Sequence, residues 1–275
     1  GGATGSQNPA AQLFKVPDYQ PVHFELIEDN IKADYVLELS PNKIRLLHQP
    51  DKLGSNLKLP PNLTLRTIEG DLEDLCWKDA FDFLEHVARW EKSKALDNRN
   101  SRFDRSKVRL VLTDKDTGKD FSTTDKPTEE VELPMKKQNG EHEKKPFRFT
   151  VENGSQRELE CGLFYFADDF AVHSLNTDRL PAGSKAVFFE DFFELTDGKT
   201  ASQEEIKLIV STEPLDSFLL AMEGLKVGES VSYWRSKSTR GGLDLRPGAK
   251  DQAYNAATAE DWFAVSMTVN LKGAA

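Results

Sequence analysis

Apolar and polar residues alternate with a period of two in several stretches near the start of the chain. The pattern runs through residues 22–26 and 35–39, and the turn-forming Ser40-Pro41-Asn42 precedes a further alternating run. Such alternation is typical of a half-buried strand, and the turn between two runs predicts a β-hairpin over residues 33–48. A short strand is also predicted at 63–68, so the chain opens as antiparallel sheet.

The hydrophobic period changes in the range 71–98, where apolar residues recur at spacings of three and four. This spacing predicts one long amphipathic helix. Phe83 and Trp90 lie beside the main stripe and widen it, so we expect the helix to be covered on two sides. The main stripe contains Trp77, Ala80, Phe81, Leu84, Val87 and Ala88.

A second set of strands is predicted in the later part of the chain. The range 215–223 has the spacing of a short helix that Gly224 would end. Residues 113–146 lack apolar periodicity apart from Val131 and Leu133, which predicts a loop-rich stretch. The predicted strands cover residues 108–112, 147–151, 161–166, 171–175, 187–189, 205–211 and 262–269.

These elements predict a mainly β (α+β) protein with two antiparallel sheet or sandwich units, the long amphipathic helix being packed on the first. Small and polar residues at the start predict a flexible linker over residues 1–18. A β-rich domain that contains the helix is expected at 19–124. A loop-rich connection is expected at 125–146, and a β-sandwich-like domain at 147–275.

Composition narrows the classes of partner. The 275 residues carry a net charge of -10, which disfavours nucleic acid and anionic membranes because both bind clustered Lys and Arg. No run approaches the roughly 20 apolar residues of a membrane helix. The two cysteines, Cys76 and Cys161, have no metal-binding spacing, which is typical of buried thiols in a reducing compartment, so a cytoplasmic location is expected.

Motifs for cofactors and metals are missing from the sequence. It contains neither a Gly-rich phosphate loop nor the HExxH pattern, so no cofactor is expected. Glu141-His142-Glu143 is interpreted as a solvated charge run. Asp114, Asp116 and Gly118 have the spacing of a calcium loop, but its closing position holds Asp125, a shorter carboxylate than the usual Glu, and the flanking helices are missing, so no metal site is expected.

A cysteine nucleophile requires a neighbouring imidazole. Cys76 and His86 share the predicted helix but lie ten residues apart, which places them about 15 Å apart along its axis. Cys161 lies on the inward side of a predicted strand, where a thiol is inert, although a pairing with His173 is conceivable. No catalytic residue is therefore assigned to this chain.

The first of two distinctive stretches runs from Phe83 to Trp90 and continues through Leu96-Asp97-Asn98 to a strand after Ser101. It resembles a segment of the non-catalytic region that follows the peptidase domain in bacterial caspase-like (metacaspase-type) proteases. The second is similar to the uncharacterised β-rich domain that trails such peptidases. It comprises Gly162-Leu163-Phe164-Tyr165-Phe166, Leu180-Pro181-Ala182-Gly183, the run from Glu205 to Leu215 that reads EIKLIVSTEPL, and the closing Asp261-Trp262 strand.

The resemblance implies a non-catalytic accessory or regulatory region of a bacterial caspase-like cysteine protease. Such a region would position the peptidase domain or recognise protein substrates and partners. The family's His-Gly pair and Asp-x-Cys or Gln-Ala-Cys loop do not occur here, so the Cys-His dyad of the parent endopeptidase would lie upstream. The alternative is a stand-alone β-sandwich that binds peptides by strand addition. An enzyme that uses a dispersed constellation of residues is a third possibility.

Two surfaces are candidates for contacts with other proteins. Trp, Tyr and Arg concentrate at binding hot spots, which makes the segment around Tyr233 a candidate, although an aromatic pair packed in a sheet would give the same pattern. The basic stretch before residue 146 is a candidate protease-sensitive loop. The residues concerned are Tyr233, Trp234, Arg235 and Arg240 for interaction, and Lys136, Lys137, Lys144 and Lys145 for cleavage.

Overall fold

The computed structural model describes two compact units within the chain. One comprises Gly1–Arg89 and Leu225–Arg246, and the other comprises Trp90–Gly224 and Pro247–Ala275. The residues described are 33, 35–40, 43–48, 64–70, 74–123, 128–138, 141–167, 169–195, 201–215, 220–225, 230–233 and 261–273.

Strands dominate the described residues. The helix α1 spans Asp74–Ala95, and one turn of 3-10 helix covers Arg105–Lys107. The strands are β1 (Tyr35–Ser40), β2 (Lys43–His48), β3 (Thr64–Gly70), β4 (Val108–Asp114), β5 (Lys119–Ser122), β6 (Thr128–Met135), β7 (Lys137–Gln138), β8 (Glu141–His142), β9 (Lys145–Asn153), β10 (Leu159–Phe166), β11 (Val172–Leu180), β12 (Lys185–Phe193), β13 (Ala201–Ser211), β14 (Ser230–Tyr233) and β15 (Trp262–Gly273).

The first unit contains a four-stranded sheet in the order β1-β2-β3-β14. Strands β1 and β2 form the predicted hairpin, with Tyr35 opposite His48 and Ser40 opposite Lys43. Strand β14 pairs with β3 in parallel. The part of α1 that belongs to this unit carries a buried apolar stripe, because its apolar residues recur with the period of a helix. The stripe consists of Ala80, Phe81, Phe83, Leu84 and Val87.

The second unit is a β-sandwich. Its five-stranded sheet has the order β11-β10-β13-β15-β6, and its four-stranded sheet has the order β12-β9-β4-β5. Strict alternation along β9 places Phe147, Phe149 and Val151 in the core and leaves the residues between them part-exposed. The core also takes inward residues from β13 and β15, so it lies between the two sheets.

The last turns of α1 lie on the outer face of the five-stranded sheet. Trp90 is 1% exposed, and its Nε1–H donates to the carbonyl of Ala171 at 3.1 Å. Its ring meets Phe166 and Phe170 edge to face, at centroid distances of 5.8 and 5.4 Å. Phe170 has a φ of 65°, so its left-handed backbone is held by this packing.

The mainly β fold class is confirmed, with three sheets of four or five strands. Two strand pairs differ from the antiparallel expectation, because β14 joins β3 and β6 joins β15 in parallel. Parallel partners need long connections, and periodicity along the sequence does not reveal which distant strands will meet. The predicted helix at 71–98 is observed as Asp74–Ala95.

The observed division of the chain differs from the predicted one. The predicted connection at 125–146 contains β6, the short pair β7 and β8, and the start of β9. The sandwich takes strands from both sides of it, since β4 pairs with β9 over the full length of β4. The short helix predicted at 215–223 is not observed in residues 220–223, where Met222 forms a β-bridge with Val172.

Candidate functional site

The Cys161 thiol lies in β10 with its side chain in the sandwich core. It is fully buried and forms no disulfide. Burial, assisted by the negative charges of Glu160 and Asp178, raises the pKa of Cys161 to about 12. Because the thiolate is the nucleophilic form, this cysteine is inert at neutral pH.

No dyad forms between Cys161 and His173. In the ladder of β10 with β11, Cys161 lies opposite Asp178, whereas His173 lies opposite Tyr165, four residues further along. Four strand residues span about 13 Å. The His173 ring is exposed and stacks on Tyr165 at 5.9 Å. Cys76 and His86 both lie in α1, where their spacing also keeps them apart.

A buried polar cluster surrounds Lys207, on the outer face of the five-stranded sheet. Lys207 is 3% exposed, and its Nζ donates to the carbonyl oxygen of Lys94 and, at 2.8 Å, to that of Leu96. Its ammonium therefore caps the C-terminal end of α1, where helix carbonyls lack intrahelical partners. Glu205, two residues before it, accepts a hydrogen bond of 2.9 Å from Thr268 Oγ1.

The loop after α1 completes this cluster. Asp97 accepts a hydrogen bond from the backbone N–H of Ala264 at 3.2 Å and pairs with Arg105 at 3.0 Å. Burial is the main reason that the pKa of Lys207 falls to about 8, and the positive charge of Lys94 adds to this, while Glu205 and Asp97 oppose it. Since each group bonds to the protein itself, the cluster fixes the helix end to the sheet.

A second buried ion pair lies where the calcium-like spacing was noted. Lys145 Nζ lies 3.0 Å from Asp114 and 3.6 Å from Asp116. Burial raises the pKa of Asp114, but hydrogen bonds from Lys145, Thr117 and the Asp116 N–H outweigh it, and the net shift is downward. Within the described residues, no group of three or more metal-ligating side chains is found.

The candidate protease-sensitive residues fall into two environments. Lys136 and Lys137 are exposed at the start of the β7–β8 hairpin, and Lys144 is exposed and pairs with Glu194 at 2.8 Å. Lys145 begins β9 and is 5% exposed, because its ammonium is held by Asp114. It is therefore not part of a solvated loop.

Of the four candidate interaction residues, one lies within the described residues. Tyr233 is the last residue of β14 in the first unit. Trp234, Arg235 and Arg240 lie outside the described residues. Their assignment to an interaction surface stays a prediction.

A basic cleft at one end of the sandwich was not predicted from the sequence. It has a volume of about 480 Å³, and its cations are Lys107, Arg109 and Lys185. Lys107 and Arg109 lie two residues apart, in the 3-10 turn and β4, whereas Lys185 comes from β12, so no local motif groups all three. The remaining lining residues are Ser106, Glu152, Asn153, Gly154, Gly183 and Ser184.

The outer face of the four-stranded sheet carries exposed apolar side chains. Val187 and Phe192 on β12 are 50% and 57% exposed. Their partners across the ladder, Thr150 and Pro146, are on the outward, part-exposed side of β9, so both apolar groups lie on this outer face. Lys185, at the start of β12, links the face to the basic cleft.

Comparison with known proteins gives no family assignment. No protein-family model matches the chain, and no curated protein matches it significantly. In the described part of the chain, no helix is both long and apolar enough to cross a bilayer.

Proposed function

We propose that this chain is a non-catalytic protein-recognition region of a bacterial caspase-like protease, in keeping with the sequence resemblance. The observation that supports recognition is the outer face of the four-stranded sheet, where Val187 and Phe192 are exposed on β12. Val187 lies two residues from Lys185 of the basic cleft, and Phe192 lies toward the other end of the strand. Aromatic residues, Phe included, are enriched at protein interfaces relative to the rest of the surface. Its partner is the peptidase domain of the same protein or a protein substrate.

The buried polar groups support a non-catalytic role. Cys161 is held as a thiol, Lys207 caps a helix, and Lys145 is paired with Asp114. Each of these groups is occupied by the fold, whereas a nucleophile or general base must reach a substrate.

Recognition through a face is favoured over strand addition by features of two of the four sandwich edges, β12 and β6. Strand β12 contains a bulge between Val187 and Phe189, and the Phe192 N–H donates to Asp191 Oδ1 at 2.9 Å. Strand β6 carries Pro134, which has no N–H to donate. Bulges, charged side chains and proline all oppose pairing at an edge. This supports the accessory role over the alternative of a stand-alone module that binds peptides by strand addition.

Reading the complete gene tests the assignment to the protease family. We expect the reading frame to encode a His-Gly pair and an Asp-x-Cys or Gln-Ala-Cys loop upstream of this chain. A complete reading frame without these motifs would contradict the assignment.

Binding to that peptidase domain tests the recognition role. We expect the V187S/F192S double variant to weaken binding about tenfold or more in calorimetry, since a central aromatic contributes about 2 kcal/mol or more. The matched control is Glu132→Ser with Lys272→Ser, an exposed ion pair on the other sheet. Equal binding by the wild type and V187S/F192S would exclude this face.

A peptide-cleavage assay tests the enzyme alternative. We expect the isolated chain to leave a mixed peptide pool intact. Cleavage that is lost in Cys161→Ala, with the fold retained by circular dichroism, would show that the chain is an enzyme.

A further inference from the structure

We propose that the basic cleft binds an acidic, extended segment of a partner protein through at least two of its carboxylates. This deepens the proposed recognition role by naming the chemistry of the partner, and it rests on that role only for the partner's biological identity. The cleft consists of the residues around Lys107, Arg109 and Lys185 described above.

The charge of the cleft opposes that of the whole chain. Three cations and a single carboxylate, Glu152, give it a formal charge of +2, while the chain as a whole carries -10. Arg109 is paired with Glu152 at 3.0 Å. Asp104 lies near Lys107, but its carboxylate already accepts hydrogen bonds from the Ser106 N–H at 3.2 Å and Oγ at 2.6 Å. Lys107 and Lys185 are exposed and supply the positive charge for a ligand.

The floor of the cleft is built before any ligand arrives. Asn153 is 1% exposed, and its Nδ2 donates to the carbonyls of Arg157, Leu180 and Pro181 at 2.8 to 3.1 Å. Its Oδ1 accepts from Ser155 Oγ at 2.6 Å. A floor fixed in this way lowers the conformational entropy that binding must remove.

Backbone hydrogen bonds join the same floor to its neighbours. The Asn153 N–H donates to Ser184 at 2.8 Å, and the Gly154 N–H donates to Lys107 at 2.6 Å. The Gly183 N–H donates to Ser155 at 3.1 Å. The three segments that line the cleft are thus held together by main-chain bonds.

The same hydrogen bonds favour carboxylates over a single phosphate. Phosphate sites commonly use a nest of free backbone N–H groups, but those of Asn153, Gly154, Gly183 and Ser184 all donate to protein carbonyls. Recognition therefore falls to the lysine side chains, which are flexible point charges on separate segments. A cleft of about 480 Å³ also has room for several side chains of an extended peptide.

Titration of the full chain with a synthetic peptide of alternating Glu and Ser tests the proposal, with the corresponding Gln peptide as comparison. We expect the Glu peptide to bind and to shift the amide resonances of Gly154 and Gly183, and the Gln peptide to bind at least about tenfold more weakly. Binding should weaken as salt rises from about 0.05 to about 0.5 M, since the charges are exposed. Absence of binding by the Glu peptide at low salt would overturn the proposal.

Paired charge variants show whether the cleft itself is responsible. We expect Lys107→Gln with Lys185→Gln to weaken Glu-peptide binding about tenfold or more. Lys144→Gln with Lys272→Gln makes the same change in net charge at exposed lysines elsewhere and should leave binding within about twofold of the wild type. Equal losses in the two double variants would show non-specific attraction and overturn the proposal.

Inorganic phosphate separates a peptide site from a small-anion site. We expect phosphate to bind more weakly than the Glu peptide, and equal or tighter phosphate binding at the same amides would overturn the proposal. The peptide titrations do not involve a peptidase domain, so their result does not depend on the V187S/F192S binding experiment. The proposed recognition role and the proposed peptide site can therefore be contradicted independently of each other.

Discussion

At the scale of single residues, Lys207 is a cationic side chain that is only 3% exposed. Its ammonium is buried beneath the end of α1 and donates to two carbonyl oxygens there. Burial lowers its pKa from 10.5 to about 8. The unfolded chain therefore binds more protons at this site than the folded chain between pH 8 and 10.5, and the contribution of Lys207 to stability rises with pH across that window.

We predict that Lys207 becomes more favourable to folding as the pH rises. The difference in unfolding free energy between the wild type and Lys207→Met should grow by up to about 3 kcal/mol from pH 7.5 to 10.5, since each pKa unit corresponds to about 1.4 kcal/mol. Urea unfolding at several pH values measures this difference. Lys92→Met makes the same substitution at an exposed position on the same helix and is the matched control.

A flat difference for Lys207→Met would mean that the folded and unfolded states share one pKa at this residue. The comparison of two variants matters because other lysines and tyrosines also titrate in this range. Their contributions are common to all three proteins and cancel.

Sequence patterns predicted the environments of some residues and not of others. Cys161 occupies an inward-facing position of an alternating strand, and this was enough to predict that its thiol is buried and inert. Lys145 looked solvated because it ends a lysine-rich run, yet its ammonium is buried against Asp114. Its partner lies 31 residues away in a neighbouring strand, and a local pattern contains no information about such a pair.

At the scale of elements, α1 was predicted well because its apolar stripe persists for several turns. The C-terminal end of α1 is held by contacts with other elements, and hydrophobic periodicity does not reveal those contacts. Trp90 looked like a widening of the stripe, but it inserts between Phe166 and Phe170 and donates to Ala171. Its indole is therefore the main apolar attachment of the helix end to the sheet.

We predict that Trp90→Ala lowers the unfolding free energy by about 3 to 5 kcal/mol, the usual range for removing a buried large aromatic. Trp90→Phe should lose less, about 1 to 2 kcal/mol, because it keeps the edge contacts but removes the N–H donor to Ala171. Urea unfolding followed by circular dichroism gives both values. Lys92→Ala, exposed on the same helix, should change stability by less than about 0.5 kcal/mol, and a Trp90→Ala loss of that size would contradict the assigned attachment.

At the scale of the whole molecule, the sequence predicted the mainly β class but not which strands share a sheet. Strands β4 and β5 precede the predicted connection, yet they complete the four-stranded sheet beside β9. Strand β6, inside that connection, forms an edge of the other sheet beside β15. The basic cleft was missed for the same reason, because its lysines come together only when distant strands pair.

Each sheet of the sandwich contains strands from before and after the β7–β8 hairpin. We therefore predict that a cut in this hairpin leaves the sandwich intact. A site-specific protease sequence inserted between Gln138 and Glu141 would put β4, β5 and β6 on one fragment and β9 to β15 on the other. Both sheets would then contain strands from both fragments. The buried side chains of Val131, Leu133 and Met135 would hold β6 in place.

We expect the cut protein to elute as a single particle in size-exclusion chromatography and to separate only in denaturant. The same protease sequence placed before Gly1 is the matched control, since its cleavage leaves the ladders untouched. Fragments that separate under native conditions would contradict the observed sheet order. Continued association would also limit the regulatory effect of cleavage after Lys136 or Lys137, because such a cut would loosen the hairpin without dismantling the face that carries Val187 and Phe192.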